Sequence, residues 1–360
     1  MAAEFHRLTV SDVRRETPDA VSIAFAVPPD VAGLYRFHPG QHLTLREGNG
    51  SGEMRRSYSI CSGPDDGELR IAVKRVEGGA FSCLINDALA QGDVIDVMTP
   101  QGRFGIVPDP DAARTYLAIA AGSGITPVMS MIRSVLQQEP RSRFVLLYGN
   151  RTQASIIFKD ALDDLKDRFL DRLIVHHVLS REPQEVSLLN GRIDAEKIAT
   201  ILRGVVPADA VDQVFLCGPG GLIEGARAAL VDLGVAAERI HVEYFSVDGS
   251  PVAARPPPRP HSVSTETPAA TAHITLYGAK HDVPVFEGET IIDAGLRAGL
   301  EMPYSCRGGM CCTCRAMVME GEVRMDQNYS LEPWELDAGF VLTCQSHPKT
   351  SHVVIDYDQI

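Results

Sequence analysis

The sequence has a single tryptophan in 360 residues, and no apolar run approaches the ~18 residues a membrane-spanning helix needs. Its first residues, "MAAEFHRLTV", carry neither a basic nor an apolar leader region, so no signal peptide is expected. Positive charge is also short: 34 Lys and Arg stand against 47 Asp and Glu, a net charge of −13. That balance argues against nucleic acid or an anionic membrane surface as the main partner. Cysteine is sparse, with 8 in the chain. These absences point to the cytoplasm, where thiols stay reduced and clustered cysteines serve metal or redox chemistry more often than disulfides.

Four of those cysteines fall within "CRGGMCCTC", Cys306 to Cys314. The spacing Cys306-x4-Cys311-x2-Cys314, followed by a distant Cys344, is that of a plant-type [2Fe–2S] site. Three thiolates come from one loop and a fourth from elsewhere, because ligands must approach two irons from several directions. Gly308 and Gly309 let the backbone curl there. Cys311 and Cys312 are neighbours and cannot readily both face one buried cluster, so Cys312 is the spare, a small half-apolar residue. A zinc site or a dithiol pair is the alternative for a lone CxxC.

The chain changes period twice. Residues 1–106 read as short strands broken by turns, which suggests an antiparallel barrel. Residues 107–247 alternate apolar strands with helical stretches, which implies a parallel sheet covered on both faces. Residues 248–271, proline-rich and without a period, read as a semi-rigid linker. Residues 272–360 form a small β-rich module with one short helix at "TIIDAGLRAGL". From Ala272 onward 13 acidic residues face 6 basic ones, a net −7. Such a module is either a solvated acidic surface or one that docks on a basic partner.

In the first segment "RRSYSIC" offers Arg56, Tyr58 and Ser59 along one strand, and a ligand touching all three must cross the strand end. "EGGAFS" sets Gly79 and Ser82 before a helical stretch, and free amides at a helix start suit a diphosphate. In the second, "AIAAGSGITPVMS" leaves a strand and opens a helix. Thr126 is a candidate N-cap, Pro127 the first helical residue, and Gly122 and Gly124 allow a pyrophosphate to approach. Pro127 replaces the third glycine of the dinucleotide fingerprint. No acid ends the second strand, whereas Arg151, Ser180 and Arg181 end the second and third. Basic residues there suit a 2′-phosphate, hence NADPH, with NADH the alternative. None of the eleven histidines has metal-ligand spacing.

In this order the motifs resemble the ferredoxin–NADP reductase superfamily fused to a C-terminal plant-type ferredoxin. The resemblance implies an antiparallel β-barrel FAD domain, an α/β parallel-sheet nucleotide-binding domain and an α+β β-grasp ferredoxin domain. It implies FAD bound by Arg56 at the diphosphate, Tyr58 along the isoalloxazine and Ser59 near N5, with Gly79 and Ser82 as a second diphosphate contact. "GSGITP" and "CGPGG" resemble nicotinamide-nucleotide motifs, with Cys217 beside the nicotinamide and Gly218 and Pro219 after it. Glu243 and Phe245 match the segment that closes over the flavin. The Lys-x-Tyr pair that follows "SRE" in plant-type members is missing here.

Further stretches, "YRFHPGQHLTL", "GRIDAEKI" and "NYSLEPWELDAGFVLTCQSHP", are similar to the reductase subunits of ring-1,2-phenylacetyl-CoA epoxidases. That likeness implies electron delivery to a diiron oxygenase in phenylacetate degradation. Reductases of ketosteroid hydroxylases or aromatic-ring dioxygenases are the enzyme alternative. A redox or iron sensor is the alternative of another class, though a sensor does not need a sustained hydride input. A hydride brings two electrons and a [2Fe–2S] cluster accepts one, so a flavin must stand between them.

Overall fold

The computed structural model describes residues 4–48, 53–246 and 267–359. The first part is a six-stranded antiparallel sheet in the order β4-β3-β6-β1-β2-β5. Its strands are β1 (Phe5–Thr17), β2 (Ala20–Ala26), β3 (His42–Glu47), β4 (Met54–Ser59), β5 (Leu69–Lys74) and β6 (Val94–Met98). A bridge between Ile60, just past β4, and Ile71 of β5 joins the two edge strands and closes the barrel. Leu8, Ile23, Leu43, Leu45, Ile71 and Val97 fill its interior. β1 has no counterpart among the strands expected from sequence. Its second half, "SDVRRET", is so rich in charge that it does not read as a strand. That half is held by its pairing with β2, while residues 5–9 of the same strand pair with β6.

Helix α1 (Ala80–Asp87) lies between β5 and β6, with Gly79 as its N-cap. Ser82 therefore sits inside the helix rather than ahead of it, a correction to the expected helix start.

The second part is a five-stranded parallel sheet, in the order β11-β10-β7-β8-β9. It comprises β7 (Thr115–Ala121), β8 (Arg143–Asn150), β9 (Leu173–Leu179), β10 (Gln213–Pro219) and β11 (Ile240–Ser246). Helices α2 (Ile125–Gln138), α3 (Lys159–Arg168), α4 (Ala195–Val205) and α5 (Gly220–Asp232) alternate with the strands. Two separate apolar clusters pack on the sheet, one with α2 and α3, the other with α4 and α5. The strand order reverses between β7 and β10, so their C-terminal ends frame the crevice where ligands of such sheets bind. Thr126 and Pro127 are the second and third residues of α2, whose N-cap is Gly124. Thr126 is thus not the cap: its hydroxyl donates to Ser123 O at 3.0 Å.

The third part contains β12 (Ala270–Leu276), β13 (Ala279–Val285), α6 (Ile291–Arg297), β14 (Arg315–Glu320), β15 (Val323–Met325), α7 (Pro333–Asp337), β16 (Phe340–Leu342), β17 (Ser346–Pro348) and β18 (His352–Asp356). The sheet order β13-β12-β18-β14-β16 is mixed, with β12 and β18 parallel, and α6 covers its core face. α7 joins the one helix expected from sequence; with five residues it is too short to show a period. β12 begins at Ala270, inside the expected linker, and the linker's stretch up to 266 lies outside the described residues. Among the described residues no helix is long and apolar enough to cross a membrane.

Candidate functional site

Three strands bring three polar side chains together. Ser59 ends β4, Cys217 lies on β10, and Glu243 pairs with Cys217 in the register of β11. Ser59 Oγ lies 3.5 Å from the Glu243 carboxylate, and Cys217 Sγ lies 3.9 Å from the same oxygen. Desolvation pushes the Glu243 carboxyl up to about 8, and burial beside Glu243 pushes the Cys217 thiol up as well. At neutral pH both hold their protons.

The glycine turns beneath are tight. A Cβ on Gly124 would stand 2.2 Å from Cys217 O, so the two βα turns meet backbone to backbone. Gly122 has φ +54, and Tyr148 donates to its carbonyl at 2.9 Å. Gly218 and Pro219 close β10 on the opposite side of the crevice. Phe245 packs against the apolar cluster that contains Ile125 and Cys217.

On the barrel, Arg56 and Tyr58 alternate to one face of β4, and the Arg56 guanidinium acts on the Tyr58 hydroxyl. The Tyr58 ring lies 6.1 Å from that of Phe81 on α1, which brings the α1 start beside β4. Ser82 Oγ accepts from Val76 N at 3.0 Å and lies 3.2 Å from Gly79 O. Its hydroxyl shapes the turn rather than standing free.

At the far end of the crevice, β8 and β9 finish side by side. Arg181 N donates to Arg151 O at 2.8 Å and Ser180 N to Asn150 O at 2.9 Å. Arg151, Ser180 and Arg181 are all exposed.

The four spaced cysteines converge. Antiparallel pairing of Arg315 with Leu342 sets Cys314 and Cys344 at one end of β14 and β16. Thr343 then donates to Cys314 O from its amide at 3.1 Å and its hydroxyl at 2.9 Å. Cys306 pairs with Cys311 and Cys314 with Cys344, and charge on Cys311 acts on all three others. Amides aim at the sulfurs: Gly308 N donates to Cys306 at 3.3 Å, and Gln345 Nε2 to Cys344 at 3.5 Å. Such donors favour thiolates and fit the chemistry of an iron–sulfur ligand set. Among the described residues no group of three or more His, Cys, Asp or Glu side chains is disposed to hold a single metal ion. Arg307 and Cys312 both have φ 52, a left-handed conformation unusual outside glycine, and the Arg307 side chain is anchored on Asp293. Cys312 points elsewhere, to Ser330 O at 3.5 Å.

Two residues without any sequence signal lie between these groups. His42, directly opposite Ser59 in the β3–β4 register, is buried, and its Nε2 is 3.2 Å from Thr313 Oγ1. Cys311 in turn lies within electrostatic reach of both His42 and Glu243. The cluster loop therefore faces the crevice.

Comparison with known proteins agrees with this architecture. Residues 7–106 match the oxidoreductase FAD-binding domain, 118–228 the oxidoreductase NAD-binding domain, and 274–349 the 2Fe-2S iron-sulfur cluster binding domain. A component of the 1,2-phenylacetyl-CoA epoxidase from Escherichia coli is 44% identical over 355 residues, 98% of each chain. The ferredoxin reductase component of 3-ketosteroid-9-alpha-monooxygenase from Mycobacterium tuberculosis is 38% identical over 362 residues, covering 98% of this chain and 96% of that one. Phthalate dioxygenase reductase shares the fold, with a TM-score of 0.60, 24% identity and 98% of both chains covered. The chain thus belongs to the family of oxidoreductases with FAD-binding, NAD-binding and 2Fe-2S domains that serve as reductase components of oxygenases.

Proposed function

We propose that this chain passes electrons from NADPH, by way of FAD and a [2Fe–2S] cluster, to a diiron oxygenase acting on phenylacetyl-CoA. The observation that carries this reading is the 44% identity over 98% of both chains with the epoxidase component, against 38% for the ketosteroid reductase. FAD, when bound, takes the two electrons of a hydride and gives them up singly, as a cluster requires.

The chain's own residues bind, orient and hold protons. Arg56 pairs with the flavin diphosphate, Tyr58 lies along the ring system, and the α1 amides with the bare Gly79 take the second phosphate. Ser59 presents its hydroxyl at the flavin N5 position. A neutral Glu243 holds a proton beside Ser59 without placing a full charge there. Cys217 borders the nicotinamide, and Phe245 covers the flavin. Gly122, Gly124, Gly218 and Pro219 leave the turns bare for the pyrophosphate, and Thr126 and Pro127 set the first turn of α2 below it. Arg151, Ser180 and Arg181 meet the 2′-phosphate and favour NADPH over NADH. Cys306, Cys311, Cys314 and Cys344 hold the cluster. The purified protein is expected to contain FAD with about two iron and two acid-labile sulfide per chain.

The test is reconstitution with purified oxygenase components. NADPH-dependent oxygenation of phenylacetyl-CoA is expected with the epoxidase oxygenase, and little turnover with the oxygenase of a 3-ketosteroid-9-alpha-monooxygenase. The opposite ranking would move the assignment to the steroid system.

A further inference from the structure

The surface joining the third part of the chain to the first two carries charged and aromatic contacts. Arg55 lies over the rings of Phe5 and Tyr304, at 4.9 and 4.1 Å, and donates to Met302 O at 3.3 Å. Arg103 stands over the Trp334 ring at 4.8 Å and 3.6 Å from Glu335, while His241 meets Glu332 at 3.3 Å. The Arg55 contacts are buried, whereas those of Arg103 with Trp334 and of His241 with Glu332 are partly open to water and steer docking more than they fix geometry.

Beside the flavin strand lies a second buried hydrogen bond, between His42 and Thr313, which are 3% and 5% exposed. The His42 end is rigid. Its amide and carbonyl exchange hydrogen bonds with Gln101 at 2.8 and 2.9 Å, and its ring lies on Gly102, where a Cβ would stand 2.8 Å from Nδ1. The Thr313 end lies in the cluster loop, its hydroxyl within hydrogen-bond reach of Cys311. The neighbouring strand, directly across from His42, carries Ser59.

We propose that His42 is the positioning residue that fixes the cluster loop against the flavin strand, so that the gap between the two redox groups is set at this contact. The inference rests on Ser59 as the flavin contact and Cys311 as a cluster ligand. Each crossing would move one electron from the reduced flavin to one ferric iron, and the cluster would pass that electron to the oxygenase before a second crossing could discharge the hydride equivalent. No bond forms or breaks on His42.

The test uses the full-length holoprotein, with flavin, iron and sulfide content measured first. Rapid mixing with NADPH follows flavin bleaching and cluster bleaching as separate phases. Quenching of the sole tryptophan, Trp334 at the rim, reports docking without any turnover. His42→Ala is expected to leave the flavin phase within about twofold and to slow the cluster phase roughly tenfold, the scale of one lost buried hydrogen bond plus a looser gap. Trp334 should become more accessible to quencher. His42→Gln, whose amide can still reach Thr313, should recover most of the cluster phase. An unchanged cluster phase in His42→Ala, or equal slowing of both phases that Gln does not relieve, overturns the proposal. Should His42→Ala shed a cofactor, Thr313→Ser against Thr313→Val decides from the other side. A slow Val variant beside a normal Ser variant supports it, and equal rates overturn it. Wild-type protein without iron and labile sulfide would instead overturn the cluster reading, and Trp334 quenching in His42→Ala would still test the docking contact.

Discussion

In the crevice, Ser59, Cys217 and Glu243 come from three strands and meet through contacts of 3.5 and 3.9 Å. Facing it, four thiols come from one nine-residue loop and one strand end, with Cys311 acting on all three others. The first group is assembled by tertiary structure: β4 belongs to the barrel, β10 and β11 to the parallel sheet. The second is assembled almost entirely by local chain geometry. A group built locally depends on spacing and tolerates little change in its own loop. A group built across domains depends on docking, and its electrostatics follow from burial.

The sharpest separation of the two groups is the loss of one thiolate. Cys344→Ser should cut reduction of cytochrome c or of the oxygenase at least about 100-fold, because one-electron delivery leaves from the cluster. NADPH oxidation by ferricyanide should stay within about twofold, since the Ser59 group is untouched. Normal coupled oxygenation by Cys344→Ser would erase the distinction between the groups.

A second separation lies within the nucleotide crevice. Arg151 and Arg181 are exposed at adjacent strand ends, where they can meet a 2′-phosphate without disturbing the turns around Gly122 and Gly124. Replacing both with Ala should raise KM for NADPH about tenfold, the loss of charge-assisted contacts, and leave KM for NADH nearly unchanged. Equal changes for the two nucleotides would place the 2′-phosphate elsewhere.

The acid at the cross-domain group gives a pH test. Glu243 is raised to about 8 by desolvation, so the folded chain keeps a proton that the unfolded chain releases near the ordinary value of 4.5. Between those values the native state binds more protons, so stability falls as pH rises through that window and levels off above it. Glu243→Gln removes the titrating group, and its melting temperature should decline less than the wild type's between pH 5 and 8. Parallel declines in the two proteins would mean that Glu243 is not held neutral.

Legibility follows the same divide. The cysteine spacing is readable because its meaning is local: the x4 and x2 intervals stay on one loop whatever the rest of the chain does. The glycine turns at Gly122–Gly124 and Gly218 are readable for the same reason. The cap at Thr126 is misread because the glycine turn tightens into a short helical turn that runs straight into α2, moving its start upstream. The charged half of β1 is not legible, since its strand state comes from its pairing with β2 rather than from its own pattern. His42 and Thr313 leave no trace at all. They lie 271 residues apart, and only docking of the third domain pairs them.

The smallest expected effect concerns Cys312, and it tests whether spacing alone assigned the ligands correctly. Cys312 sits between Cys311 and Thr313 with φ 52, so its side chain leaves the loop in a different direction from its neighbours. It reaches Ser330 O at 3.5 Å and packs beside the apolar core of the third domain. Burial raises its thiol to about 12, so it stays protonated and is a poor ligand at neutral pH. Cys312→Ser keeps a donor of similar size for Ser330 O, and should retain full iron and labile sulfide with cytochrome c reduction within about twofold. Ser at 306, 311 or 314 should instead bleach the protein. Iron lost from Cys312→Ser but kept by Cys311→Ser would exchange the roles of the two adjacent thiols. It would also detach His42 and Glu243 from the ligand they are placed to face.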